Sequence, residues 1–135
     1  MKKVLISVLA LCGHAVVAET PLDGDAFEAL VTGKTLTFST ATGPYGVEYY
    51  APNRRVVWSF VGGDCQNGEW YEAEGELGPE ICFIYETGEA DPIPQCWQVF
   101  EVDGKIRADF MNTPGTTVLY EAVETEPLVC GGLGT

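Results

Sequence analysis

The sequence predicts an all-β protein: a small antiparallel meander barrel of about eight strands, lipocalin-like, with a short N-terminal helix. Short segments rich in β-branched and aromatic residues follow one another along most of the chain. Gly, Pro, Asn and Asp separate these segments and supply turn chemistry. A long meander of half-polar strands must hide its two edges, and closure into a barrel does so. A two-sheet β-sandwich is the alternative.

The strands are expected at 35–40, 45–51, 56–60, 69–74, 81–86, 96–102, 105–110 and 117–123. Before them, the stretch GDAFEALVTGK predicts one helix of about two turns. Asp25 is the expected N-cap, and Gly33 is expected to end the helix. Phe27, Leu30 and Val31 share one face, and we expect that face to plug one end of the barrel.

One hairpin can be registered residue by residue, because Asp103-Gly104 is typical of a two-residue type I′ turn. Counting away from this turn gives three cross-strand pairs, which are Val102 with Lys105, Val99 with Ala108, and Trp97 with Phe110. Period-two alternation then places one set of side chains on the core face, namely Trp97, Val99, Ile106, Ala108 and Phe110. The same alternation directs Val56, Trp58 and Phe60 inward.

The N-terminus has the features of a secretory signal peptide. Two lysines open the chain, an apolar run follows, and small residues precede the expected cleavage point between Ala18 and Glu19. We therefore expect a signal peptide over 1–18 and a single disulfide-stabilised β domain over 19–135. That domain would act in the periplasm or outside the cell. The apolar run is too short for a stable membrane span.

Loss of the leader would leave a strongly acidic domain without histidine. The chain has 7 Lys and Arg against 20 Asp and Glu, and Lys2 and Lys3 lie in the leader, so the mature charge is 5 − 20 = −15. Such a surface repels nucleic acid and anionic lipid, so no nucleic-acid partner is expected, whereas a basic protein is a compatible one. The only histidine, His14, is also in the leader. Catalytic triads and histidine metal sites are therefore excluded.

Four cysteines remain after cleavage, Cys65, Cys82, Cys96 and Cys130. They form no C-x-x-C cluster of the kind that binds metal or performs thiol redox chemistry. In an exported protein they indicate two structural disulfides. Of the three possible pairings we favour Cys82–Cys96 with Cys65–Cys130, because Cys82 and Cys96 flank a predicted hairpin loop.

No residue pattern establishes a catalytic, cofactor-binding or metal site, and none is expected. Phosphate-binding glycine loops are absent from the sequence. The surviving enzymatic pattern is EWYEAEGE, where Glu69, Glu72, Glu74 and Glu76 could supply paired carboxylates for acid–base hydrolysis. Alternating glutamates on a strand are more often its solvated face. The abundant aromatic residues mostly fill a core, although a barrel of this size can hold one small apolar ligand.

Several motifs together resemble a group of small exported proteobacterial proteins of no assigned function. The matching stretches are LVTGKTLTF, YGVEYYAPNRRVVWSF, CQNGEWY, ICFIYE and PQCW. The group's pattern is Leu-x-Gly-x-Thr, then EYY-x-P, Gly-x-Trp and Cys-Phe-x-Tyr, and the resemblance covers roughly residues 30–97. This chain departs from it at residues 53–55, where Asp-Gly is usual, and in carrying Cys130. The resemblance implies a shared fold and export, and no catalytic residue.

These observations predict an exported, non-enzymatic β-barrel that binds a protein or a small apolar ligand in the periplasm. One alternative is an inhibitor of a basic envelope-attacking enzyme such as lysozyme, because a charge of −15 would attract such a partner. The other alternative is a carboxylate-based hydrolase.

Overall fold

Eight antiparallel strands follow one short helix and close into a barrel in the order of the sequence. The computed structural model describes residues 19–123, together with Gly13 and Leu128. Helix α1 is Gly24–Val31. The strands are β1 (Thr35–Thr40), β2 (Gly43–Ala51), β3 (Arg55–Phe60), β4 (Cys65–Gly75), β5 (Gly78–Tyr85), β6 (Gln95–Val102), β7 (Lys105–Phe110) and β8 (Val118–Glu121). The predicted all-β barrel is confirmed, and the sandwich is not formed.

The barrel is closed by the pairing of its first and last strands. Phe38 lies opposite Glu121 and Ser39 opposite Tyr120. Beyond this short ladder, the Ala122 amide donates a 2.7 Å hydrogen bond to the Thr37 carbonyl. All other neighbours are consecutive strands, so the meander has neither a crossover nor an unpaired edge among the described strands.

The predicted β6–β7 hairpin is confirmed in its register. Val102 pairs with Lys105, and Trp97 pairs with Phe110. Asp103 and Gly104 have φ angles of 51° and 78°, the left-handed values that both central residues of a type I′ turn require. Residues of the predicted core face line the interior, while the opposite face of the hairpin points away from it.

Strand β4 is longer than the sequence indicates, because it begins at Cys65 rather than Glu69. The added residues are CQNG, a stretch whose polar and glycine content is typical of loops. In the barrel these residues pair with β3, with Asn67 opposite Val57 and Gly68 opposite Val56. Backbone pairing with a neighbour overrides the local preference here.

Helix α1 plugs one end of the barrel, as predicted. Phe27 and Val31 are fully buried, and the Phe27 ring contacts the rings of Trp70 and Tyr50 at centroid distances of 5.0 and 5.6 Å. The N-cap is Asp23 and not Asp25, since the Asp23 side chain accepts a 2.8 Å hydrogen bond from the Ala26 amide. Within the described residues, no helix has the length and apolar character needed to cross a membrane.

Arg54 fastens this plug to the barrel. It lies in the β2–β3 turn with φ of 58°, and its guanidinium reaches Asp25 at 3.2 Å and Glu28 at 3.4 Å. The same group lies 4.5 Å over the Trp70 ring, a cation–π contact. Asp25 thus lies in the first helical turn and pairs with Arg54, while Asp23, the residue before the helix, caps it.

The segment before the helix is hydrogen-bonded to β6 and β7. The Leu22 amide donates a 2.7 Å hydrogen bond to the Val99 carbonyl. Glu19, the residue that predicted cleavage would make N-terminal, forms two hydrogen bonds with Arg107 of 2.6 and 3.0 Å. Arg107 in turn stacks 4.5 Å over the Phe100 ring. The outward side chain of Phe100 is thereby buried.

A disulfide joins β5 to β6 on the outside of the barrel. Cys82 and Cys96 are directly opposite in the strand register, and their Cα atoms are 4.0 Å apart. This confirms the first predicted bridge. Cys130 lies outside the described residues, so the pairing of Cys65 with Cys130 stays a prediction.

Removal of the Cys82–Cys96 bridge by the double substitution Cys82→Ala and Cys96→Ala should lower the free energy of unfolding by about 3 kcal/mol. The bridge closes a loop of about 15 residues, whose freedom returns to the unfolded chain when the link is lost. Urea denaturation measures the change. Glu89→Ala, an exposed substitution in the same loop, should change stability by less than about 0.5 kcal/mol. Equal stability of the double variant and the wild type would contradict the prediction.

Candidate functional site

The barrel interior contains a cavity of about 60 Å³. It lies between the helix plug and the opposite end of the barrel, here called the loop end, which carries loops 61–64, 86–94 and 111–117. Nine of its 16 lining residues are aromatic, namely Phe27, Phe38, Tyr45, Tyr50, Trp58, Phe60, Phe83, Tyr85 and Trp97. The cavity is therefore an apolar, ring-lined space of the kind that binds small organic molecules.

A bulge in β2 directs Tyr45 to the rim of this cavity. Phe38 pairs with Gly46 and Ser39 pairs with Pro44, so Tyr45 is an extra residue without a partner in the β1–β2 register. Bulges of this kind re-aim a side chain. The Tyr45 ring contacts the Phe60 ring at 5.5 Å, and Phe60 is 47% exposed at the loop end. These two rings form the mouth of the cavity.

Two glycines make room for large rings inside a narrow barrel. A Cβ on Gly46 would lie 2.3 Å from Cζ2 of Trp58, and a Cβ on Gly68 would lie 2.8 Å from Cδ1 of Tyr85. Both distances are shorter than real side chains allow. Gly46 and Gly68 therefore let the Trp58 and Tyr85 rings lie flat across neighbouring strands. The position of Tyr85 matters most, because its hydroxyl reaches the one carboxyl group in the cavity wall.

That carboxyl group belongs to Glu48, in the middle of β2. Glu48 is 4% exposed, and it pairs with Leu36 on β1 and Trp58 on β3. The Tyr85 hydroxyl donates a 2.9 Å hydrogen bond to its Oε1. Every buried side-chain nitrogen and oxygen of the described residues has a hydrogen-bond partner. The buried carboxyl group of Glu48 is therefore hydrogen-bonded and held in place.

Burial makes Glu48 a weak acid. Desolvation raises its pKa from 4.5 to about 8, and hydrogen bonds from the Tyr85 and Tyr50 hydroxyls offset only part of that effect. At neutral pH the group is therefore mostly protonated. Burial, together with the charge that Glu48 can carry, also raises the pKa values of Tyr50 and Tyr85 well above 10. The cluster thus consists of two neutral phenols and a carboxylic acid that retains its proton.

Glu48 is not among the candidate residues that the sequence indicates, although a pattern could have found it. Trp58 is predicted to point inward, and extending the β2–β3 hairpin would have placed Glu48 opposite it. An acidic residue inside a barrel breaks the usual alternation, and such residues often mark functional sites. The segment YGVEYYA carries apolar residues on both faces, so its alternation alone does not reveal which side is buried.

The four glutamates of EWYEAEGE do not converge on one point. Glu69 lies 3.6 Å from Arg55 in an ion pair on the outer face. Glu72 accepts a hydrogen bond from the Gly24 amide at the start of α1, and with Glu74 it lines a shallow polar cleft. Glu76 is exposed in the β4–β5 turn. In the part of the chain that the structure describes, no group of three or more potential ligands is arranged to hold a metal ion.

Comparisons of this chain with protein-family models, with characterised proteins and with solved structures gave no match. The resemblance to small exported proteobacterial proteins therefore stays a prediction. The candidate site rests on the cavity and on the carboxyl group in its wall.

The raised pKa of Glu48 predicts how stability changes with pH. The folded protein holds the proton up to about pH 8, whereas the unfolded chain releases it near pH 4.5. The contribution of the group is therefore fully present below pH 4.5 and is lost as pH rises to about 8. Over that window, Glu48→Gln should gain on the order of 4 kcal/mol of stability relative to the wild type.

Urea unfolding of both proteins at several values from pH 5 to pH 9 measures this difference. Glutamine keeps an oxygen that can accept the Tyr85 hydrogen bond, so the variant retains the shape of the site. Glu76→Gln removes an exposed carboxylate and serves as the control, whose stability should run parallel to that of the wild type. Parallel curves for Glu48→Gln as well would show that Glu48 is ionised in the folded state.

Proposed function

We propose that this protein is an exported, non-enzymatic binding protein that holds a small, mainly apolar molecule inside its barrel. The observation that carries the proposal is the ring-lined cavity in a closed barrel with a carboxyl group in its wall. The aromatic side chains of the core do not fill this space completely. Here the interior combines voids, large rings and a hydrogen-bonded acid, which is the usual make-up of a ligand site.

The size of the cavity limits what enters it. About 60 Å³ is well below the several hundred Å³ of pockets that enclose drug-sized molecules, and below the 150 Å³ or so of a cavity that encloses benzene. The space therefore accommodates one end of a ligand, with the remainder between Tyr45 and Phe60 at the mouth. Gln66 and Gln95, which also line the cavity, supply amide groups for polar parts of the ligand.

Access is from the loop end, because α1 closes the other end. Phe60 is half-exposed there, and Val61 and Ile93 are exposed by 61% and 77% in the adjoining loops. Exposed apolar side chains beside a cavity mouth favour capture of an apolar molecule from water. Rotation of Tyr45 and Phe60 widens the mouth without breaking any strand pairing.

Binding should be detectable with simple probes. Titration with toluene, benzyl alcohol and 1-hexanol should change tryptophan fluorescence saturably, because Trp58 and Trp97 line the cavity. The same probes should raise the melting temperature as their concentration passes the Kd. A flat response to all of them by both measurements would remove the proposal.

Ala108 lines the cavity wall and provides a substitution that fills the space. Ala108→Val should weaken binding of the probes by about tenfold, since added methyl groups occupy the volume that the ligand needs. Val102→Ile adds bulk on the same hairpin but at an exposed position, and it should bind as the wild type does. Equal affinities of the Ala108 and Val102 variants would place the probes elsewhere on the protein.

A second candidate function is inhibition of a basic envelope-attacking enzyme such as lysozyme, and the arrangement of the arginines favours it. Arg54 pairs with Asp25 and Glu28, Arg55 with Glu69 and Glu86, and Arg107 with Glu19 and Asp109. The three arginines of the described residues are thus paired with carboxylates of the same molecule. The remaining surface is acidic and would attract a cationic protein.

For this second candidate, excess protein should reduce lysozyme activity at low ionic strength. The inhibition should weaken as salt is raised through 0.15 M, where the Debye length falls to about 8 Å. A different acidic protein of equal net charge is the control for plain charge neutralisation. Undiminished lysozyme activity at low salt would discard this function and leave the cavity proposal untouched.

A further inference from the structure

We propose that the ligand of the barrel is a small organic cation, in which an ammonium group bound by Glu48 is attached to an apolar or aromatic body. The inference deepens the proposed function and rests on it. Its basis is the charge of the cavity wall: Glu48 is its only carboxylic residue, and none of the lining residues is Lys or Arg.

Glu48 has hydrogen-bonding capacity left for a ligand. A carboxylate offers about four lone-pair sites, and the Tyr85 hydroxyl occupies one of them on Oε1. The Tyr50 hydroxyl takes up at most one more. An ammonium group carries donors and no acceptor, so it matches an ionised carboxylate directly.

The surrounding rings suit the same ligand. Aromatic faces attract cations, and the indole of Trp is the strongest of them. Trp58 lies directly opposite Glu48 in the strand register, and Tyr50 and Tyr85 flank the carboxyl group. A cation between these rings gains attraction on several sides. An anion would meet the negative faces of the rings and a carboxyl group, and would be rejected.

Binding of such a cation must release a proton. Without ligand, Glu48 is mostly protonated at neutral pH, because an isolated carboxylate in this interior has no countercharge. When the ammonium group binds, the carboxylic acid of Glu48 loses its proton to solvent. The resulting carboxylate forms an ion pair with the ammonium group. No bond of the ligand changes. The ligand supplies the countercharge that the barrel lacks.

Other titratable groups near Glu48 do not provide that proton. Tyr50 on the same strand and Tyr85 on β5 have pKa values well above 10, so both stay neutral. Tyr45 at the mouth acts electrostatically on Tyr85, and Glu121 on β8 acts electrostatically on Tyr50. The Glu121 Oε2 accepts a hydrogen bond from the Ile106 amide. The described neighbours on α1, β1 and β3 are the uncharged Phe27, Leu36 and Trp58.

Three probes that share a benzene ring and differ in charge test the ligand class, namely benzylamine, benzyl alcohol and benzoate. Each is titrated by calorimetry at pH 7 into the whole protein without its predicted leader. Benzylamine should bind at least about tenfold more tightly than benzyl alcohol, as expected for a hydrogen bond to a charged group. Benzoate should bind most weakly. Repeating the benzylamine titration in two buffers of different ionisation enthalpy should show release of close to one proton.

Glu48→Gln is the decisive variant, because it keeps the shape of the site and removes the group that can become a carboxylate. It should bind benzylamine no more tightly than it binds benzyl alcohol and should release no proton. Glu76→Gln makes the same chemical change at an exposed site outside the cavity and should keep both the preference and the proton release. A preference that survives in Glu48→Gln would assign it to the acidic surface and overturn this inference.

The two proposals fail differently in this experiment. If benzyl alcohol and benzylamine bind equally, and Ala108→Val weakens both, the barrel is a binding site without selectivity for cations, and only the present inference falls. If none of the three probes binds, the proposed function falls together with it.

Discussion

Closure of the sheet is the constraint on which the rest of this structure depends. Strand β8 has four residues and meets β1 at two paired positions, yet that short ladder removes both edges of the meander. Once closed, eight strands enclose an interior just wide enough for side chains. Inward positions must then share a fixed volume, so each large ring needs a small neighbour. Gly46 and Gly68 meet that demand beside Trp58 and Tyr85.

Burial of an acid in this interior costs the hydration free energy of a carboxyl group. Glu48 forms no ion pair among the described residues, and its hydrogen bonds come from the phenols of Tyr85 and Tyr50. A nonpolar residue of similar volume in its place would avoid the desolvation of a carboxyl group. The glycine that positions Tyr85, the ring that carries the hydroxyl and the acid that accepts its bond therefore form one unit.

Much of the fold could be predicted because its determinants are local. Apolar and polar residues alternate, turn residues separate the strands, and Asp103-Gly104 sets the register of the β6–β7 hairpin without reference to anything distant. The bridge between Cys82 and Cys96 follows from adjacency across one loop. For the same reason the sequence locates all eight strands, although it does not reveal the first residues of β4, whose composition is typical of a loop.

What the sequence did not reveal depends on contacts between distant segments. Asp25, the expected cap, instead pairs with Arg54 from the distant β2–β3 turn, while Asp23 caps the helix. The inward position of Glu48 follows from its pairing with Trp58 across the β2–β3 hairpin. The direction of the Tyr45 side chain follows from a bulge in β2, which only the β1–β2 register shows. The candidate site is built from such non-local features.

The two ends of the barrel differ in how firmly they are held, and this difference would set the route of exchange for the proposed ligand. At the plug end, the ion pairs of Arg54 join partly exposed groups and contribute about 1 kcal/mol or less each. Burial of the Phe27 ring stabilises the plug more strongly, because its loss would cost on the order of 3 kcal/mol or more. At the loop end, the partly exposed rings of Tyr45 and Phe60 line the mouth of the cavity. A ligand would therefore meet less resistance at the loop end than past the helix, whose displacement would expose the Phe27 ring.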